Sequence, residues 1–237
     1  MSDASIAPPQ RRRYFLTQPD DFDIEQNAYT MAALERHKRE GLELAVRLRW
    51  IAMGVVAVFL VYLNPNPDVL YYHFILALIA ANGWLIRRMG RVGQSRIELI
   101  LIFVDLVIMT FGMVVPNPFA NNTWPLAAQY HLDNFQYFFL ILAGGTLAYS
   151  WRTVIAIGSW TAGLWTATWL IAWWVATPFP ELSQNVAQVL AAYPVLIPLS
   201  DPTNFVPHLR IQEVLVFVLV AVMLGFSIRR FNRLLMS

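Results

Sequence analysis

Two acids set in apolar sequence are the residues whose chemistry is most conspicuous. Asp105 lies about halfway along the apolar run 97–115, and Glu98 precedes it by seven residues, so both carboxyls fall on one face of a helix. A carboxyl at that depth must be protonated, paired or turned to a polar interior, which leaves a functional site and a packing hydrogen bond as its two readings. His73 and Asn82, in the run 69–86, are the natural partners, completing an intramembrane network of His73, Asn82, Glu98 and Asp105. A second group stands at segment ends: His131 and Asp133 before the run 135–149, and His208, Arg210 and Glu213 at the start of the run 211–228. Arg210 and Glu213 can pair at their three-residue spacing, and the five together suit an outer vestibule for a cation or small polar ligand. The histidines and acids are scattered, with no His-x-x-x-His or Asp-x-Asp spacing, so no metal site and no cofactor is assigned. Trp165, Trp169 and Trp173 recur every fourth residue, a stripe that either walls a lipophilic pocket or, the favoured reading, packs or faces lipid. No phosphate-cradling glycine loop, nucleophile elbow, zinc-protease helix or kinase motif occurs, and no enzyme activity is expected of this chain.

The elements that must position these residues follow from composition. Among 237 residues 57% are hydrophobic and 14% charged, against roughly 25% charged in soluble domains. A lipid solvent explains the difference. A net charge of +2 gives no basic face for nucleic acid, and with no cysteine there is neither disulfide nor thiolate chemistry. The expected fold is all-α: a polytopic membrane protein with six transmembrane helices at about 48–63, 69–86, 97–115, 135–149, 153–176 and 211–228. Residues 1–22 read as a disordered basic arm, 23–46 as an amphipathic cytosolic helix entered through Asp23 and Gln26, 47–233 as the membrane domain and 234–237 as the start of a cytosolic linker. Arg47 and Arg49 are expected to snorkel to the headgroups.

Orientation follows from basic residues. With the amino terminus inside, all 17 lysines and arginines except Arg210 fall on the cytoplasmic side, so both termini are expected in the cytoplasm. Asp68, Asp133, Glu181 and Asp201 then face outward. Each outward run stops at proline: 64–67, 116–118 and 177–180. In the last outer loop Leu182, Val186, Val189 and Leu190 keep helical spacing, predicting a short surface helix.

Arg47-Leu48-Arg49-Trp50-Ile51-Ala52 leading to Tyr62-Leu63-Asn64-Pro65, Asp105 followed by Val114-Val115-Pro116-Asn117-Pro118-Phe119, and Tyr137-Phe138-Phe139 running to Ala148-Tyr149-Ser150 form a pattern. It resembles the six-helix membrane domain of bacterial class III adenylate cyclases. That resemblance implies a non-catalytic, homodimeric anchoring and sensing module in the bacterial inner membrane. A cyclase domain is expected after Ser237, and the natural ligand, reached from outside or from the membrane, stays unidentified. No catalytic residue carries over, because the cyclase domain is absent from these 237 residues. Two rival readings are a small transporter or channel, and a structural subunit of a larger membrane complex.

Overall fold

Apolar runs in hydrocarbon must satisfy their backbone hydrogen bonds internally, and every regular element among the described residues is helical. The structure, a computed structural model, describes residues 19–89, 96–120, 124–132, 134–147 and 150–234. The arm as far as residue 18, Arg91, Asp133, residues 148–149 of the fourth run and residues 235–237 lie outside them. Two units are distinguished, Met1–His37 and Lys38–Ser237. The described part of the first is helix throughout.

Helix α1 is Pro19–Leu63, α2 Leu70–Met89, α3 Arg96–Val114, α4 Tyr137–Leu147, α5 Trp151–Val175, α6 Pro180–Val189, α7 Ile197–Ser200 and α8 Pro207–Leu234. The first begins four residues before the expected Asp23, at a proline, which suits a first helical turn because that turn's N–H groups have no intrahelical partner. The last loop does form a helix at the predicted spacing, α6.

Among the described residues five stretches are long and apolar enough to cross a bilayer, which points to a multi-pass membrane protein: Arg39–Leu63, Pro67–Met89, Arg96–Val114, Trp151–Val175 and Pro207–Leu234. The fourth expected span differs. Among the described residues its helix, α4, has 11 residues, a rise of about 16 Å against the roughly 30 Å of a hydrocarbon core. Two 3-10 turns, Leu126–His131 and Asn134–Gln136, precede it, so its chain begins with aromatic side chains wedged between helices rather than with regular helix.

Side-chain register gives the directions. Trp50 bonds to the carbonyl of Ala80 and His73 meets that of Ala57, so α1 and α2 are antiparallel. Asn82 donates to Leu101 O at 2.7 Å, and Asn117 donates to Asp68 O at 2.7 Å, so α3 returns to the level where α2 began. A Cβ on Gly145 would lie 2.7 Å from Ile157, while one on Gly144 would lie 4.0 Å from Ala45. The first part of α5 is therefore level with the start of the α1 span. All three proline turns gather at one end, the proline end, and Arg87, Arg88, Arg152, Arg229 and Arg230 at the other, the arginine end.

The core is built on α5. Along α8 small residues permit close approach: a Cβ on Gly158 would be 2.5 Å from Ala221 Cβ, and one on Gly225 would be 2.8 Å from Ile155. Higher up, Trp165 is 1% exposed and meets the rings of Tyr130, Phe135 and Phe138 at 5.1, 5.3 and 5.8 Å. Phe217 of α8 closes the cluster against Phe135 at 5.4 Å and Phe139 at 4.9 Å. Such aromatic pairs each add about 0.5–1.5 kcal/mol beyond burial, which anchors the short α4 that its own length would not.

Candidate functional site

Two polar sites emerge, one inside the bundle and one at the proline end. Inside, Arg49 of α1 reaches into the bundle and forms an ion pair with both carboxylate oxygens of Asp105 on α3, while its Nη2 also donates to Ile79 O of α2 at 3.0 Å. Asp105 is 2% exposed. The expectation that Arg49 snorkels to headgroups is thus corrected: a planar guanidinium satisfies a buried carboxylate bidentately, and lipid headgroups offer nothing comparable at that depth. Nor do His73 and Asn82 partner Asp105. His73 stands between two backbone oxygens, Val69 O at 3.0 Å and Ala57 O at 3.1 Å. A neutral imidazole has one N–H and satisfies one of them; a protonated ring satisfies both. Asn82 is buried and, as noted, bonded to Leu101. Glu98, also buried, shares the Asp105 face of α3.

At the proline end the loop between α5 and α8 folds into a cap around Asp201. Ser183 of α6 donates to its Oδ2 at 2.5 Å, and Thr203 donates to Oδ1 through both its hydroxyl, at 2.7 Å, and its backbone N–H, at 2.9 Å. Burial pushes the Asp201 carboxyl up, but the bonds from Ser183 and Thr203 and the nearby His131 outweigh it and hold the group below its ordinary value. His131 Nε2 lies 2.7 Å from Asn204 O, an acceptor, so that nitrogen carries a proton. Asn204 Oδ1 in turn accepts from Val206 N at 3.1 Å. Val206 has φ 41°, a left-handed conformation costly for a β-branched residue, held by this bond and by a buried side chain.

Between the cap and the end of α5 lies a cleft of about 500 Å³, walled by Trp169 and Trp173 and floored by Phe205 and Pro207, the first residue of α8. The two tryptophan rings are stacked, centroids 6.1 Å apart and planes 13° from parallel. The stripe therefore divides: Trp165 is packed in the core, while Trp169 and Trp173 wall a pocket.

Of the five vestibule residues, His131 joins the cap. Arg210 pairs with Glu213 at 2.9 Å and is buried, and His208 is exposed. Asp133 lies outside the described residues. Neither Arg210 nor His208 lines the cleft. Sequence reasoning missed the cap's Ser183, Asp201 and Thr203 as a unit; the Asp-x-Thr spacing of a side-chain turn was the available signal. Among the described residues no three His, Cys, Asp or Glu side chains converge as metal ligands would. No protein family, curated protein or solved structure matches the chain.

Proposed function

We propose that this chain is the membrane-embedded anchoring and sensing part of an adenylate-cyclase-type signalling protein, itself non-catalytic, dimeric and seated in a bacterial inner membrane with its arginine end in the cytoplasm. The observation that carries this reading is α8. Its first residue floors the proline-end cleft, and over its 28 residues, about 42 Å, the same unbroken helix passes Arg229, Arg230 and Arg233. An event at the cleft reaches the opposite face through one rigid element, with the small-residue seam on α5 beside it. Rotation or shift of such an exit helix is a sufficient input for a catalytic site assembled between two subunits.

Inserting one to four residues between Leu234 and a fused class III cyclase domain tests this. Cyclic AMP output is expected to oscillate with the roughly 3.6-residue helical period. Output indifferent to the insertions would sink it. The buried acids of α3 favour a second reading, transport, for which the same chain in liposomes would carry proton or cation flux. The closed Arg49–Asp105 pair weighs against that.

A further inference from the structure

We propose that the proline-end cleft binds an organic ammonium group, quaternary or protonated, over the face of the Trp169–Trp173 pair and against the hydroxyl oxygens of Ser183 and Thr203. The inference names a ligand class for the sensing site and so rests on the reading above.

The chemistry of the lining selects the charge. Ser183 and Thr203 both line the cleft, and both commit their hydroxyl protons to Asp201. What they offer a guest is lone pairs, backed by the buried Asp201 carboxylate. Asn204 commits one amide N–H to Pro198 O at 3.1 Å and its amide oxygen to Val206 N. Trp169 Nε1 is shielded from solvent, so a guest meets the indole ring and not its donor. Among the described residues neither Arg nor Lys lines the cleft. An anion finds no counter-charge there, whereas a cation finds oxygen lone pairs, a carboxylate behind them and two indole faces with negative quadrupole potential.

Size and shape agree with this class. The volume of about 500 Å³ falls within the roughly 300–1,000 Å³ of small-molecule sites and exceeds the need of a trimethylammonium head, leaving room for a tail along Phe179 and Phe205. Trp173 is 63% exposed although it stacks on Trp169, so ring surface remains open to a guest. The strained Val206 stands between two cleft residues, Phe205 and Pro207, and fixes the floor at the start of α8.

Two sources carry the same head: a free choline-like cation and a phosphatidylcholine headgroup. Calorimetric titration of the whole chain in phosphatidylglycerol nanodiscs compares choline with 3,3-dimethylbutan-1-ol, its neutral isostere. Choline is expected to bind at least about tenfold more tightly, and Trp173→Ala to weaken it about tenfold while leaving the melting temperature unchanged. Because Asp201 braces the cap, Asp201→Asn is used only alongside that exposed variant. Repeating the titration in phosphatidylcholine nanodiscs separates the sources: a weaker apparent affinity assigns the lipid head, an unchanged one the free cation. Equal binding of the two isosteres, or no choline binding by folded protein in phosphatidylglycerol, overturns the proposal. Failure here with an oscillating cyclase output leaves the sensing reading standing; choline binding with a flat output does the reverse.

Discussion

The Arg49 guanidinium of α1 and the Asp105 carboxylate of α3 form a bidentate pair that also holds the Ile79 carbonyl of α2, so one side chain ties three helices. Removing one partner strands the other charge in the bundle. Asp105→Leu or Arg49→Met is expected to lower stability by about 3–5 kcal/mol, while the double variant Arg49→Met with Asp105→Leu regains most of the loss. Unfolding of the four proteins in one detergent gives the cycle, and additive losses would count against the pairing.

The α5–α8 seam is the second sensitive place. With Ala221 Cβ 2.5 Å from where a Gly158 Cβ would stand, Gly158→Ala overpacks the seam and is expected to cost about 1–3 kcal/mol. Adding Ala221→Gly removes the clash and should restore the melting temperature. Loss of stability undiminished in the double variant would mean that the helices do not meet here.

Asp201 makes the cap pH-dependent in a stated direction. Its folded pKa is depressed below the ordinary 3.8, so its contribution is present above that value and is lost as pH falls through the depressed one. Limited proteolysis within residues 180–204 is therefore expected to be slow at neutral pH and to accelerate only in strong acid. In Asp201→Asn the cap should be cut readily at every pH, without an acid step.

Tyr130 acts at the alkaline limit. Burial pushes its phenol up to about 12, although the Thr168 hydroxyl and the Arg210 charge pull the other way. The folded chain keeps this proton between pH 10 and about 12 while the unfolded chain releases it, so stability is full below 10 and falls through that window. Tyr130→Phe should change stability by less than about 1 kcal/mol at neutral pH and move the alkaline unfolding midpoint, followed by circular dichroism, upward.

Much of the helical plan was legible because apolar length and proline stops are local signals. The Pro180–Val189 helix showed in its spacing for the same reason. What failed was depth and partnership. Arg49 stands near the polar start of an apolar run, so its position suggested headgroups; only the folded register brings it level with Asp105, 56 residues away. In the run 135–149 hydropathy cannot distinguish the rings of Phe135 and Phe138, which meet Trp165, from rings facing lipid. The cap was hidden because Ser183 and Asp201 are joined by a bond spanning 18 residues.

Only 6% of the α1 apolar window is buried, against 17% or more in each of the other four. Hydrocarbon tails give such a surface nearly the same dispersion that neighbouring helices would, so close fit contributes little to holding it. Its depth and rotation are set by three directed polar keys, Arg49 on Asp105, Trp50 on Ala80 O and the Ala57 carbonyl at His73. Like a keyed shaft, this helix can trade Ile51, Val55 or Val58 for other greasy shapes at small cost, but a one-residue slip would misalign all three keys together.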